Sequence, residues 1–557
     1  MAEENPFLSY TDRSYEQIKA DALAYVALNA PEITDHNETN PLVAIVSVYA
    51  AIAEMMNLYI DNVAREQFLS SLRRYVSAVN IAKESDYRIA CKQPASVDLV
   101  FTFTSSAGNP FTGITILAGT EIQTDEGVSF YTTQDLTIPA SPLSSVTGTV
   151  SAINEIAVSG VTIGTSDGTA LQTFTLPTDT SGFSVVAIIN AIVWTNVESL
   201  KFEGSTSQSF RQTVNETMQA IIEFGDDVNG AIPTIGDDVI INYNATNGID
   251  GNVDSNSITN IISAIVPPAT FTVSVTNPNA AAGGSDVESL ASLKRNIPLL
   301  NRTNNRAVTE QDYIDIGNLN PQVAQTSIDY DCGKFVDIYI VPIGGGIASS
   351  VLLSNITDWY ESRRLITTSI NVLAAGEIPI ILDINLRVLS SYVQSDIITA
   401  VETNLQTFFD TSNQAIGGTL HISDIYETIE NTTGVANSTI NLLVPRPYGR
   451  PISGSSALVW TREILPASVL NAYWRVVFTT ATSYQLFKDN NFVGTFSTGA
   501  LVTQTEVEFT VTGTYVLGDQ FEFWTYPYAA TDLDFTEQSI PIVDLLDVTI
   551  NATGGLI

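Results

Sequence analysis

The densest group of side chains that could do chemistry is a set of carboxylates in one Gly-rich stretch. Asp226 and Asp227 are followed shortly by Asp237 and Asp238. Two carboxylates across a cleft can hydrolyse a glycosidic bond, and several carboxylate oxygens can bind calcium. The stretch lacks the regular alternation and the closing Glu of a helix-loop-helix calcium site. The sequence therefore favours a turn here over a metal site.

Other catalytic side chains are scarce. The two histidines are His36, just before a predicted helix, and His421, within a predicted strand, and neither has a Cys or carboxylate at metal-ligand spacing. No Gly-x-Ser-x-Gly, Gly-Lys-Ser/Thr or His-Glu-x-x-His motif occurs. The Gly run 344–346 follows a strand but lacks phosphate-binding spacing, which predicts a flexible loop. We expect no catalytic residue, no cofactor and no metal, and we expect that the chain is not an enzyme.

Basic residues concentrate only at Lys294, Arg295, Arg302 and Arg306, in a chain whose 60 acids and 23 Lys and Arg give a net charge of −37. Such a surface repels nucleic acid and anionic lipid, so we expect neither as a partner. The excess of acids fits a solvated surface, and it also fits a surface that steers assembly with less acidic partners. The four basic residues are expected to pair with acids across a domain or subunit interface.

Length and composition predict a folded protein with several domains. The chain has 557 residues, 44% of them hydrophobic and 15% charged, which is too long for one core and too apolar for a disordered acidic chain. Cys91 and Cys332 lie far apart and predict buried thiols. The start lacks the basic region of a signal peptide, and the apolar stretch 42–53 is short for a membrane span, which predicts a core helix. We expect a cytoplasmically made protein with no membrane contact.

Residues 1–90 are predicted to be helical. Ser14 and Gln17 form a capping box, and Asn40 before Pro41 is a strong helix start. Apolar residues recur at helical spacing beyond it, among them Ile45, Ile52, Met55 and Tyr59. Such a stripe fits an internal core, and it equally fits packing against the helices of a partner.

The remaining chain predicts four further segments. Residues 91–280 are β-rich, with strict alternation at Val97, Leu99, Phe101 and Phe103, and the stretch 277–284 has the Asn/Pro/Ala/Gly composition of a linker. Residues 281–330 form capped helices and a connector, residues 331–444 an α+β sandwich, and residues 445–557 a C-terminal β domain. The fold class is therefore multidomain α+β.

Details of these segments come from capping and turn signals. In 281–330, Ser285 and Glu288 predict a capping box for a helix that ends before Pro298, and Thr309 and Asp312 predict a second box. The sandwich is predicted as strands 335–341, 378–389 and 435–443 with helices 350–363, 393–409 and 422–430 over one sheet. The run 445–447 marks the last boundary, and a hairpin around 489–490 follows it.

Three blocks of sequence occur in a specific order. The first is Leu117-Ala118-Gly119-Thr120-Glu121 with Gly127 to Thr132, and the second is Phe224-Gly225-Asp226 with Asn247-Gly248-Ile249-Asp250-Gly251-Asn252. The third and most specific block is Gly283-Gly284-Ser285-Asp286-x-Glu288, followed by Arg306-Ala307-Val308-Thr309-x-x-Asp312-Tyr313. Together, over residues 1–444, they resemble the baseplate J-like family of phage tail baseplate wedge proteins.

This resemblance implies a structural role. It implies a wedge component, located in the virion tail baseplate and assembled in the host cytoplasm, that links the central hub to the periphery and transmits the contraction trigger. The implied partners are a second copy within each wedge, six wedges in a ring, other wedge proteins, the hub and, as further candidates, sheath or fibre proteins. The helix carrying Ile45, Ile52, Met55 and Tyr59 is expected to bundle with another wedge protein.

Two alternatives stay open. The nearest is the equivalent baseplate part of a phage-derived contractile injection system. A rival from another class is a tail-associated polysaccharide hydrolase with a carboxylate pair, and the lack of a long repetitive β-helix pattern counts against it. The motif residues themselves cap helices and free the backbone for turns, which predicts structural positions at Gly283, Gly284, Ser285, Glu288, Arg306, Thr309, Asp312 and Tyr313.

Overall fold

The computed structural model describes residues 13–35, 37, 39–105, 108–268, 270–331, 335–410, 413–445, 450–453, 459–464, 472–504, 507–512, 515, 519–525, 533–535, 539–543, 545 and 548–556. The predictions for His36, for Cys332 and for the break at 446–447 lie outside these residues. The described chain is a multidomain α+β protein, as predicted.

The helices begin at the capping signals seen in the sequence. Ser14 Oγ accepts from the Gln17 amide at 3.4 Å while Gln17 Oε1 accepts from the Ser14 amide at 2.9 Å, and Asn40 Oδ1 accepts from the Leu42 amide at 2.9 Å. Both predicted helix starts are confirmed. The helices are α1 (Tyr15–Asn29), α2 (Pro41–Arg65), α3 (Tyr75–Glu84), α4 (Leu290–Thr303), α5 (Glu310–Asn318), α6 (Ser350–Glu361), α7 (Gln394–Phe408) and α8 (Ile422–Glu430).

Strands fill the middle of the chain. The first fifteen are β1 (Ser96–Ser105), β2 (Ile114–Ile116), β3 (Glu121–Thr124), β4 (Ser129–Thr132), β5 (Leu136–Ile138), β6 (Ser145–Ile153), β7 (Ile156–Thr165), β8 (Thr173–Thr175), β9 (Val186–Ile189), β10 (Ile192–Asn196), β11 (Ser209–Val214), β12 (Ala220–Phe224), β13 (Asp238–Ala245), β14 (Ile258–Ile261) and β15 (Phe271–Thr276). Short 3₁₀ turns lie at Leu200–Phe202 and Gly248–Gly251.

The second half of the chain carries the other strands. They are β16 (Val323–Asp331), β17 (Phe335–Pro342), β18 (Ser369–Ala374), β19 (Gly376–Val393), β20 (Thr419–Leu420), β21 (Val435–Pro445), β22 (Arg450–Ser453), β23 (Val459–Ile464), β24 (Ala472–Thr480), β25 (Ser483–Lys488), β26 (Asn491–Ser497), β27 (Leu501–Thr503), β28 (Val507–Thr512), β29 (Gln520–Thr525), β30 (Leu533–Asp534), β31 (Ser539–Ile542) and β32 (Val548–Leu556).

Two compact units divide the chain, and both are discontinuous in sequence. Unit 1 comprises Met1–Cys91, Ser159–Asn242 and Val287–Arg302. Its seven-stranded sheet has the order β7-β13-β9-β10-β11-β12-β8. The chain after α3 belongs to this unit, because the Arg88 guanidinium lies 3.5 Å from the centre of the Phe183 ring and donates to Asn196 at 3.0 Å. The predicted helical segment 1–90 therefore shares a unit with residues 159–242 of the predicted β-rich segment, and the chain leaves this unit after Cys91.

Unit 2 comprises Lys92–Val158, Tyr243–Asp286 and Thr303–Ile557. Its first sheet has the order β14-β3-β4-β6-β1-β15. The alternation predicted for β1 is confirmed, since its inward residues are at most 1% exposed: Val97, Leu99, Phe101 and Phe103.

The predicted linker at 277–284 is wrong. Asn277 is fully buried, and Ala281 and Ala282 are 1% exposed. The Asn277 side chain accepts from the Ile258 amide at 2.8 Å, and the Ala282 and Ser96 main chains hydrogen-bond to each other. Small residues suit this stretch because other backbone approaches it closely, and composition alone cannot separate that from an exposed linker.

The α+β segment has the predicted order of elements but two sheets instead of one. The strands β16, β17 and β18 form one sheet, covered by α5 and α6. The long strand β19 instead pairs with β21 on one side and with β31 and β32 on the other, and α7 and α8 cover this second sheet.

The last strands also correct the predicted C-terminal domain. A β sandwich within 450–525 has its own core, which includes Trp474, Phe478 and Phe521. Its predicted hairpin is confirmed, with Asp489 and Asn490 at positive φ between β25 and β26. The strands β31 and β32 then return to β19, so residues 445–557 are not one domain. Their parallel partner lies far back in the sequence, where no local pattern points to it.

Candidate functional site

The most prominent surface feature is the apolar side of α2. Its predicted partner-binding residues are all exposed: Ile45 by 54%, Ile52 by 43%, Met55 by 50% and Tyr59 by 63%. We call these residues, together with Val48, Tyr49, Met56, Ile60 and Val63, the α2 apolar face, since all nine are exposed. The prediction that 42–53 forms a core helix is wrong, because in that stretch only Val43 and Ala50 are buried.

Helix geometry defines the width of this face. At about 100° per residue, the α2 apolar face covers an arc of about 140° from Met55 to Ile60. The opposite side carries the buried residues and Glu54, which accepts a hydrogen bond from the Tyr15 amide at the start of α1 at 3.1 Å. A helix of a folded domain usually buries an apolar stripe of at least about 100°. In α2 the residues that would form such a buried stripe are the nine of the α2 apolar face, and all of them are exposed.

Length and apolar composition would also allow α2 to span a membrane, and no other helix in the described ranges meets that test. Little of the helix is buried within the protein. An apolar helix of this length and exposure suits contact with lipid and contact with partner helices alike.

Gly248 and Gly284, from the second and third sequence blocks, approach each other closely in unit 2. Asn252 accepts from the Gly284 amide through Oδ1 and donates to the Gly284 carbonyl through Nδ2, both at 2.8 Å. A Cβ at Gly284 would lie 2.3 Å from the Gly248 carbonyl oxygen, so only glycine fits. Gly344 also faces Asn252, and the predicted loop 344–346 is a turn in which all three glycines have positive φ. Asn252 was noted from the sequence only as the last residue of the second block, and its contact with Gly284 was not predicted.

The capping box predicted at Ser285 is wrong. The helix α4 begins at Leu290, where Ser289 Oγ accepts from the Ser292 amide at 3.2 Å. It also continues through Pro298 instead of ending before it. Burial of Leu293 and Ile297 offsets the lost hydrogen bond. The Ser285 Oγ is buried with no hydrogen-bond partner among the described atoms.

Glu288 has a different role from the predicted cap. Its carboxylate is buried in unit 1 and accepts from Tyr87 Oη at 2.8 and 2.9 Å, from the Ala90 amide at 3.2 Å and from Asn296 Nδ2 at 2.8 Å. The Tyr75 hydroxyl donates to its main-chain carbonyl at 3.0 Å. Burial raises the pKa of Glu288 above its ordinary value, and the hydrogen bonds offset part of that rise. This carboxylate joins the chain after α3 to the start of α4.

The second predicted box is confirmed. Thr309 Oγ1 accepts from the Asp312 amide at 3.2 Å, and Asp312 Oδ2 accepts from the Thr309 amide at 2.8 Å. Tyr313 is 4% exposed, and its ring stacks on Tyr360 with a centroid distance of 6.1 Å. Arg306, just before this box, is exposed. These residues fix α5 in its core and do not converge on a cleft.

The carboxylates around Asp226 and the histidine His421 were the other candidates for chemistry. Asp226 Oδ1 accepts from the Val228 and Asn229 amides at 3.0 and 2.6 Å, which confirms the predicted turn and lowers the pKa of Asp226. No group of three or more His, Cys, Asp or Glu with metal-binding geometry occurs in the part of the chain that is described. His421 directly precedes α8 and is not in a strand.

The basic cluster was predicted to pair with acids across a domain or subunit interface, and this stays a prediction. Within the chain, Arg295 Nε donates to Asn296 Oδ1 at 3.0 Å. Its charge also lowers the pKa of Glu288, although by less than burial raises it.

Comparisons with known proteins give no family. No family model and no curated protein matches the chain. A chain of the anti-feeding prophage baseplate, solved by cryo-electron microscopy with six-fold symmetry, aligns with 76% of this chain and 86% of its own length, at 13% identity and a TM-score of 0.27. A chain of FlgL from Xanthomonas campestris aligns with 15% of this chain and 27% of its own, at 20% identity and a TM-score of 0.11. Both TM-scores are too low to support a shared fold.

Proposed function

We propose that the chain is a structural component of a phage tail baseplate wedge, and that the α2 apolar face binds helices of another wedge protein. The observation that carries this proposal is the exposure of that face, with Ile45, Ile52, Met55 and Tyr59 between 43% and 63% exposed. Water-exposed apolar surface of this extent is rare on a protein that acts alone, and it marks an interaction site.

The sequence resemblance to baseplate J-like proteins gives the kind of assembly. Its most specific block supplies Gly284, where a Cβ would meet the Gly248 carbonyl oxygen, and Thr309, whose side chain caps α5. The wedge would join the hub to the periphery and, through paired copies in six wedges, pass on the contraction trigger. The equivalent part of a phage-derived injection system would have the same chemistry, and capsid and terminase genes nearby would separate the two.

Partner helices are favoured over a bilayer as the cover of α2. Glu54 lies near the middle of the helix, is exposed, and hydrogen-bonds to the first turn of α1. An ionised side chain at the centre of a bilayer costs about 2.5–3.5 kcal/mol on insertion scales. In a helical bundle, Glu54 keeps its contact on the side away from the α2 apolar face.

A catalytic role is not proposed. The carboxylates that suggested a hydrolase include Asp226, which accepts amides of its own turn. Incubation of the purified chain with host envelope glycans should release no sugar. Turnover that disappears when paired carboxylates are substituted would contradict the structural role.

The test of the proposed function is to locate the chain in the particle. Tails purified from producing cells carry a gold-labelled tag on this chain, and negative-stain images are averaged about the tail axis. We expect label only at the baseplate end, with six-fold symmetry. Label along the tail tube, or recovery of the chain in the membrane fraction without tails, would contradict the proposal.

A further inference from the structure

A second exposed apolar surface lies on unit 1, away from the α2 residues in sequence. It is built from three loops that connect strands of the seven-stranded sheet. We call it the loop rim, and its segments are 166–172, 199–207 and 225–237.

Backbone hydrogen bonds join the loops of the rim to one another. The Leu171 amide donates to the Gly225 carbonyl at 3.0 Å, and the Gly230 amide donates to the Gly204 carbonyl at 3.2 Å. Ser166 ties the first and third loops together, because its Oγ donates to the Pro233 carbonyl at 2.8 Å. A surface fixed in this way is organised before any partner arrives, which reduces the entropy lost on binding.

Each loop presents a large apolar side chain to solvent. Leu171 is 53% exposed, Phe202 87%, Val228 69% and Ile235 73%. Single exposed apolar residues are ordinary, but four on one preorganised rim form the pattern of a protein-binding surface.

The backbone of Leu171 has an unusual conformation. Its φ of 55° lies in the left-handed region, which side chains other than Gly, Asn and Asp rarely adopt. Its amide donates to the Gly225 carbonyl, so the contact between the two loops holds it there. Strain of this kind persists where the surrounding structure enforces it and is concentrated at functional sites.

The loop rim is negatively charged, which favours a partner with a basic surface. Its described carboxylates are Asp167, Glu203, Asp226, Asp227 and Asp237. Its single cation, Lys201, is already paired with Asp86 at 2.8 Å. A second copy docked on the same patch would bring like charges together. Nucleic acid and anionic lipid are disfavoured for the same reason.

We propose that the loop rim docks onto a different protein of the same tail assembly, on a surface that is apolar at its centre and carries Lys and Arg around it. This inference rests on the proposed function, because it requires that the chain is part of a multiprotein tail. It adds a second contact that does not involve α2. The carboxylates would steer the encounter, and the apolar side chains would form the dry centre of the interface.

The test compares thiol labelling in free chain and in purified tails. Phe202→Cys puts a reactive thiol on the loop rim. Glu216→Cys puts one on the exposed turn between β11 and β12. That turn lies at the end of this hairpin opposite to the loop rim. The unsubstituted chain gives the background from its own cysteines. We expect the thiol at 202 to react with a maleimide at least about tenfold more slowly in tails than in the free chain, because an interface core excludes water. The thiol at 216 should react equally in both.

A photo-crosslinking amino acid at position 202 then identifies the neighbour. We expect a cross-link to a different tail protein, at a segment with Lys or Arg. Equal labelling of position 202 in tails and free chain, equal protection at position 216, or a cross-link to a second copy each overturns the inference while leaving the proposed function intact. Absence of the chain from the tails overturns both.

Discussion

Tyr87 donates its hydroxyl to both carboxylate oxygens of Glu288, at 2.8 and 2.9 Å, across 201 residues of sequence. The pair fixes the chain after α3 to the start of α4 inside unit 1. Tyr87 and Glu288 are each 7% exposed, so their hydrogen bonds are formed away from water. A carboxylate in such a place is expected to make the stability of unit 1 depend on pH.

The sign follows from the raised pKa of Glu288. In the folded protein this carboxyl takes up a proton at higher pH than in the unfolded chain, whose ordinary value is 4.5. Its contribution to the free energy of unfolding is fully present below pH 4.5, and it declines as the pH rises from there to the folded-state pKa. Glu288→Gln removes this ionisation, so the difference between wild type and variant should change with pH only in that window.

The measurement is urea unfolding of wild type and Glu288→Gln between about pH 4 and 8. Other carboxylates titrate in both proteins and cancel in the difference. Exposed Glu216→Gln is the matched control, because its side chain lies outside the buried contact between Tyr87 and Glu288. A pH-independent difference for Glu288→Gln would show that its burial does not affect its titration.

The two motif hydroxyls should respond differently to substitution. Thr309→Ala removes the acceptor of the Asp312 amide and should lower the free energy of unfolding by about 1 kcal/mol. Ser285→Ala removes a buried hydroxyl that has no described partner, and should not lower it. Chemical unfolding of both variants decides this, and an equal loss in both would restore Ser285 as a cap.

The end of the chain offers a test of the return of β31 to β19. Ile540 is fully buried where β31 runs parallel to β19, so Ile540→Ala should destabilise the protein by about 2–5 kcal/mol. Ile366→Ala, at a position that is 98% exposed, is the control and should change stability very little. Urea unfolding of both variants gives the measurement, and equal stability would contradict the burial of Ile540 beside β19.

Capping residues and hydrophobic periodicity in the sequence predicted helix starts, strand faces and the order of elements. Asn40 before Pro41, the alternation from Val97 and the order of elements between 335 and 445 were found because caps and periodicity act within a few residues. The return of β32 to β19 and the two discontinuous units could not be predicted, since each depends on contacts between distant segments.

The candidate binding surfaces also divide into a feature that local sequence predicts and one that depends on contacts between distant segments. The spacing of Ile45, Ile52, Met55 and Tyr59 predicted an apolar stripe, but the sequence could not say whether it was covered. The loop rim was missed because Leu171, Phe202, Val228 and Ile235 lie on loops without periodicity, and only the hydrogen bonds between those loops bring them together.

The exposure of α2 leads to the most direct prediction about partners. Deleting residues 1–90 would be a poor test, because that cut also removes Leu72, Val79 and Tyr87, which are buried in unit 1. Point substitutions on the α2 apolar face are cleaner. Ile52→Glu combined with Tyr59→Glu should leave the melting temperature within a few degrees of wild type, because both side chains already face solvent. The same double variant should no longer co-purify with the neighbouring tail protein, since a helix bundle buries such residues at its centre.

Val43→Glu is the matched contrast, because Val43 lies on the same helix and is 1% exposed. It should lower the melting temperature, since it buries a charge without a counter-ion. Co-expression with the tail proteins, affinity purification and thermal melts of each variant give both readouts. Retention of every partner by the double variant would exclude the α2 apolar face as the binding surface. Transfer of the wild-type chain, but not the double variant, to vesicles of neutral lipid would indicate a membrane as its cover instead.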